Sequence, residues 1–234
     1  MTDRPILFSG PMVRALLAGT KTQTRRALQG LGDQPIVEYD GMYMWKQGYR
    51  WGAVTDPKFP PGVRFAVGDR LWVREAWRVS KRWDGTKPRD LPARTMTTFF
   101  EAGGSMGGVD PCPRDRIRTP DEYQFDPTYP PVMPDWAGKK QPGMFMMRWM
   151  SRLTLTVTDV RVQRLQEISQ VDSAAEGCLG KGTYPDPYEV TPRDQYRELW
   201  DHLNEARGFG WETNPWVVAV SFTVERRNID AGRP

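Results

Sequence analysis

Histidine and cysteine are nearly absent from this chain: its 234 residues include one histidine, His202, and two cysteines, Cys112 and Cys178. That scarcity argues against a zinc centre, which draws on closely spaced His and Cys side chains, and against catalysis built on histidine. At most one disulfide can form, a usage that fits a reducing compartment and predicts a cytoplasmic location. No apolar run approaches the ~20 residues needed to cross a bilayer, so no membrane association is expected. The N-terminus carries Asp3 and Arg4 before a short apolar pair, unlike a secretory leader. A net charge of +4 gives a mildly basic balance without the basic tail that coats duplex DNA. The Gly-rich dinucleotide fingerprint, the phosphate loop, the metalloprotease motif and internal repeats are all missing, and no metal or cofactor is predicted.

Large flat side chains and chain breakers are abundant instead. Ten tryptophans, 22 glycines and 21 prolines supply material for packing or stacking and predict much loop. With 38% hydrophobic residues the chain can bury a real core. One domain over 1–225 is expected, with insertions near 29–60 and 81–143 and a tail at 226–234.

The stretch from Ser9 to Arg26 organises the rest. Ser9 can cap a short helix, Pro11 suits its first turn, Val13, Leu16 and Leu17 share one face, and Gly19 ends it. Lys21, Arg25 and Arg26 then crowd among Thr20, Thr22 and Thr24. Composition alone allows a solvated basic turn as readily as an anion cradle. In a helix or turn, Lys21 and Thr24 would lie on one side.

Downstream, strands separated by the Asp40-Gly41 dipeptide suggest a hairpin. Leu71 and Val73 alternate with Arg70, Trp72 and Arg74 as in a half-buried strand, leaving Trp72, Arg74 and Glu75 either structural or at the rim of a cleft. The breaker-rich 81–143 segment reads as a flap or a disordered excursion, whose basic residues, among them Lys87, Arg89 and Arg94, could touch phosphates but suit a solvated loop better. The clearest strand signal is the alternation of Leu153, Leu155 and Val157 with Thr154, Thr156 and Thr158. Ser169 can cap a short helix with Asp172 as its reciprocal partner, and Gly177 can end it. Glu176 falls in its last turn, where the helix dipole disfavours a carboxylate. Thr191 and Asp194 repeat the capping pattern before a helix carrying Tyr196, Leu199, Trp200 and Leu203 on one side, and 216–224 reads as a closing strand.

Gly19-Thr-Lys21-Thr-Gln-Thr24-Arg-Arg26 resembles the Gly-x-Lys-x-x-Glu-x-Arg signature of the ASCH domain family, in the PUA-like group of RNA-associated β-barrels. Gly19, Lys21 and Arg26 match; Thr24 replaces the usual Glu, as it does in the bacterial N4-acetylcytidine amidohydrolase branch. There a Lys and a Thr from this segment work with a Glu from a later helix, and Glu176 is the matching position here. Gly68-Asp69-Arg70-Leu71 resembles the family's turn and strand after the signature. Over 5–26, 61–78, 153–177 and 193–224 the chain is similar to a group of larger phage and bacterial ASCH-like proteins, although the two insertions are absent from the compact amidohydrolases. The resemblance implies an α+β fold: a small PUA-like β-barrel with peripheral helices and long loop insertions. It also implies deacylation of the exocyclic amine of a modified pyrimidine nucleoside.

Two mechanisms remain open at this stage. Thr24 attacks the amide carbonyl with Lys21 as base and Glu176 as acid, which requires the lysine pKa to fall from about 10.4 toward roughly 7–8, helped by Arg25 or Arg26. Alternatively, Glu176 activates water and Lys21 stabilises the oxyanion. Arg26 and Arg74 are candidates for binding a carbonyl or phosphate, Trp72 and Trp77 for stacking on the base, and Glu75 for supporting Arg26 or Lys21. An RNA-binding module without amide chemistry is the rival reading. A ribonuclease is a third, weakened by the lack of an acid–base histidine.

Overall fold

In chain order the elements are β1 (Asp3–Leu7), α1 (Gly10–Leu17), β2 (Gln23–Ala27), β3 (Val37–Tyr39), β4 (Met42–Gln47), β5 (Arg50–Ala53), β6 (Arg70–Arg74), β7 (Trp77–Arg78), β8 (Thr98–Phe100), β9 (Ser105–Met106), β10 (Thr154–Arg164), α2 (Gln170–Ala175), α3 (Pro192–Asn204) and β11 (Trp216–Glu225). The computed structural model describes residues 2–28, 37–39, 42–47, 50–53, 63–93, 96–106, 135–181 and 190–231. Cys112, Arg94 and the Asp40-Gly41 turn lie outside them.

Five strands are hydrogen-bonded in the order β1-β6-β10-β11-β2, and β3-β4-β5 and β7-β8-β9 form two three-stranded sheets. The large sheet is mixed, with β1 parallel to β6 and the β10–β6 and β11–β2 pairs antiparallel. The fold is therefore α+β, but it is not the expected small β-barrel: among the described residues no sheet closes, and the large one ends at β1 and β2. A free strand edge needs protection, and closure is only one way to supply it. Here the chain just before β2 is covered by a helix end, since Thr22 N–H donates to the Ala175 carbonyl at 2.8 Å. Among the described residues, no helix is long and apolar enough to cross a membrane.

The chain divides into two compact units, one of Met1–Gly19, Asp69–Thr156 and Thr223–Pro234, the other of Thr20–Gly68 and Val157–Phe222. In the first, α1 buries Val13, Leu16 and Leu17 as its spacing predicts, although the Ser9 side chain makes no capping bond. In β6, Leu71 and Val73 are buried, and so is Trp72 between them, so both faces of this strand are covered. A second core joins Trp77, Val79, Leu91, Met96, Phe100, Met146 and Met150. The described parts of the 81–143 insertion thus supply core residues and two strands, whereas the sequence suggested a flap or an excursion. The supposed tail is also built in. Ile229 is buried, the Asn228 amide donates to the carbonyls of Arg148 and Ser151, and Asp230 accepts from Arg148 at 2.6 Å.

In the second unit, β3 pairs antiparallel with β4, with Tyr39 opposite Met42. Leu165, Ile168, Tyr196, Trp200, Trp211 and Val217 make the core. Helix α3 has the predicted capping box, with the Thr191 side chain accepting from Asp194 N–H and the Asp194 side chain accepting from Thr191 N–H. Leu203, expected on its apolar face, is exposed.

Candidate functional site

The site begins at the end of α2. Gly177, at φ +91°, turns the chain left-handed: its N–H donates to Ala174 O at 2.8 Å, and Cys178 N–H donates to Ser173 O at 3.1 Å. These two bonds form a Schellman motif, which glycine serves because it carries no Cβ. The remaining carbonyls of that end are claimed from the start of the second unit. Thr22 N–H takes Ala175 O, and the Lys21 ammonium donates to Glu176 O at 2.9 Å. A cation here also complements the negative end of the helix dipole.

The same ammonium donates to Glu176 Oε2 at 2.7 Å, joining residues 155 apart in sequence. Arg25 Nη1 donates to the other oxygen, Glu176 Oε1, at 3.2 Å. Lys21, Arg25 and Glu176 are all buried, at 0%, 4% and 5% exposure, so water barely screens the cluster. Two cations explain how a carboxylate persists at a helix C-terminus.

Arg25 Nη1 also donates to Gln23 Oε1 at 2.5 Å, and the Gln23 amide donates to Ser221 Oγ at 3.0 Å. Arg25 Nη2 lies 3.2 Å from Asp172 Oδ2, without the alignment of a hydrogen bond, and both Nη2 and Nε of Arg25 are buried without a hydrogen-bond partner. Its guanidinium lies 6.0 Å from the centre of the Tyr196 ring. Burial, reinforced by the charge of Glu176, pushes the Tyr196 phenol well above its usual range, so it remains a proton donor at neutral pH. Burial and Glu176 likewise push the Cys178 thiol up to about 11, which leaves it protonated and unreactive. Arg26, half-buried on β2, is lowered by desolvation and raised by Glu176, with desolvation prevailing.

Thr24 is buried within β2, opposite Val220. Side chains alternate along a strand, so Thr24 faces away from Gln23 and Arg25, the pair turned toward Glu176. The helix or turn that would have put Lys21 and Thr24 on one side is not formed: this segment is extended. Ser169 caps α2 as expected, but Asp172 does not return the bond. Its carboxylate meets Arg161 at 3.1 Å and Arg25 at 3.2 Å instead.

Trp72, Arg74, Glu75 and Trp77 belong to the other unit, where each is engaged. Arg152 grips both Glu75 oxygens at 2.8 Å, so Glu75 supports Arg152, not Lys21 or Arg26. Trp77, 1% exposed, is a core residue and no stacking platform. Trp72 is buried with the Arg74 guanidinium 4.5 Å from its ring. From the sequence Arg25 enters only as a cation near Lys21, and Gln23, Asp172 and Tyr196 do not enter as site residues. The alternate strand positions 21, 23 and 25, and the i, i+4 spacing of 172 and 176 on a helix, are the signals for Gln23 and Asp172.

No family model, curated protein or solved structure matches this chain.

Asp172 offers a check on the electrostatics. Burial pushes its carboxyl up, but the hydrogen bond from Arg161 and the charges of Arg25 and Arg161 outweigh burial and hold it below its ordinary value of 3.8. A depressed carboxyl stabilises the fold above its unfolded-state pKa, and this contribution is lost as the pH falls through the folded value. Urea unfolding at about pH 7 and about pH 3 will therefore show a smaller acid loss for Asp172→Asn than for the parent chain. Equal losses would mean that the cations do not hold Asp172.

Proposed function

We propose that the protein is a metal-independent amidohydrolase that removes an acyl group from the exocyclic amine of a modified pyrimidine nucleoside of the N4-acetylcytidine type. One observation carries this reading: Lys21 and Glu176, the pair that the resemblance to the amidohydrolase branch implies, meet at 2.7 Å in a buried cluster. The resemblance to the N4-acetylcytidine amidohydrolase branch supplies the substrate class.

Of the two mechanisms, the geometry favours water activation. The Lys21 amine is committed to Glu176, and Thr24 lies on the other face of its strand. In this scheme Glu176 takes a proton from water and hydroxide adds to the acyl carbonyl. Lys21 and the spare N–H groups of Arg25 stabilise the oxyanion. The proton then passes from Glu176 to the exocyclic nitrogen as the C–N bond breaks, releasing a carboxylic acid and the free amine.

Incubation with N4-acetylcytidine should release cytidine. Lys21→Met, which keeps much of the apolar stem, should lower the rate by about 10²–10⁴-fold, the usual contribution of a positioned proton-transfer or charge-stabilising group. Thr24→Val should stay within about threefold of the parent, since no acyl-enzyme forms on that hydroxyl. A collapse of turnover in Thr24→Val would restore the nucleophile mechanism. Absence of cytidine release by the folded parent chain would reject this substrate assignment.

A further inference from the structure

The first unit holds a second feature that the Lys21–Glu176 chemistry does not use. Beside the end of β6 is a cavity of about 480 Å³, lined among others by Arg74, Lys87, Arg89, Met144, Phe145 and Met147. Among the described residues, three of its lining side chains are cations and none is a carboxylate. Arg89 pairs with Asp90 at 3.7 Å on an exposed turn.

Arg74 is held in place for binding. Its guanidinium lies 4.5 Å from the centre of the Trp72 ring, its Nη1 donates to Met144 O at 3.2 Å, and its Nε has no partner. Lys87, capping the short turn Pro88–Asp90, and Arg89, in its middle, are both exposed. The opposite character comes from the turn at Gly143–Phe145, where Met144 is 59% and Phe145 52% exposed. That turn sits tightly on the strand end: a Cβ on Gly143 would come within 2.9 Å of the Glu75 backbone. The exposed Phe145 ring and Met144 thioether are therefore presented on a fixed backbone, close to the cations.

Three cations attract a phosphate, for which arginine offers a planar fork and lysine a point charge. An exposed phenylalanine with adaptable methionines suits a flat ring. We infer that this cavity binds a phosphate ester of a planar heterocycle, a nucleotide, with the phosphate at Arg74, Lys87 and Arg89 and the ring against Phe145 and Met144. Such a nucleotide can come from two sources, a free monophosphate or a residue within a single strand.

The test is calorimetric titration of the full chain with adenosine 5′-monophosphate, adenosine, inorganic phosphate and a short single-stranded oligoadenylate. A purine is used so that failure of the pyrimidine deacylase reading leaves this result independent. The monophosphate should bind at least about tenfold more tightly than adenosine, as expected when charge-assisted hydrogen bonds are added. Reversing Lys87 and Arg89 together to Glu, both on the surface, should weaken it by at least about tenfold. Phe145→Ala should weaken the nucleotide and leave phosphate unchanged. Tighter binding of the oligonucleotide than of the monophosphate assigns the source to a strand, and the reverse assigns it to the free nucleotide; both support the site. No saturable binding of either, or equal binding by the charge-reversed variant, overturns it.

Discussion

Glu176→Ala will lower the unfolding free energy by about 3–5 kcal/mol, the usual cost of leaving a buried charge unpaired. At 2.7 Å the attraction between Lys21 and Glu176 is about 6 kcal/mol for an effective dielectric of about 20, and desolvation of both groups offsets much of it. Truncation is costlier than the net worth of the pair, because Lys21, with no exposed surface, loses its carboxylate partner without regaining contact with water. Arg25 loses a partner as well and falls back on Asp172 and Gln23. Glu176→Gln keeps an acceptor for one cation and should cost less than Glu176→Ala, yet it removes the base and should lower turnover by about 10²–10⁴-fold. Urea denaturation beside the cytidine-release assay separates these effects. A loss below about 1 kcal/mol in Glu176→Ala would show that water reaches the pair and screens it.

Trp77→Ala will destabilise the first unit by about 3–5 kcal/mol, as expected for emptying a large core site. Trp77 is 1% exposed and packs with Val79, Leu91, Met96, Phe100, Met146 and Met150. Its indole N–H has no hydrogen-bond partner, so Trp77→Phe forfeits volume without breaking a hydrogen bond and should cost less. Thermal unfolding followed by tryptophan fluorescence gives the ranking. Were Trp77 a solvent-facing stacking residue, both variants would stay within about 0.5 kcal/mol of the parent.

Helix α1 was legible because its three apolar residues, its early proline and its terminal glycine act over a few residues. The same holds for β10, with its alternating Leu, Val and Thr, and for α3, with its capping box. The tension at Glu176 could also be read in advance: a carboxylate at a helix C-terminus calls for a cation. The resemblance named Lys21 and Glu176, and the fold brings them together.

Other features had no local signature. A strand's apolar alternation reports burial and not which strand lies beside it, so the open order from β1 to β2 could not be told from a closed barrel. Trp77 looked available because a tryptophan in a strand is equally suited to a core or a cleft, and its core is completed by Leu91, Met96 and Phe100 from the breaker-rich insertion. The residues after β11 looked like a tail, since a single Ile229 carries no periodicity until the carbonyls of Arg148 and Ser151 meet Asn228.

Local patterns in the chain were sufficient for the α+β character, the helix boundaries and the presence of an early cationic segment, because capping, periodicity and glycine turns are short-range effects. The facing of Thr24, the partners of Arg25 and Glu75, and the openness of the sheet required the folded chain. Each depends on which side chains arrive from more than a hundred or several dozen residues away, as with the 155-residue separation of Lys21 and Glu176, and burial then determines how strongly their charges act.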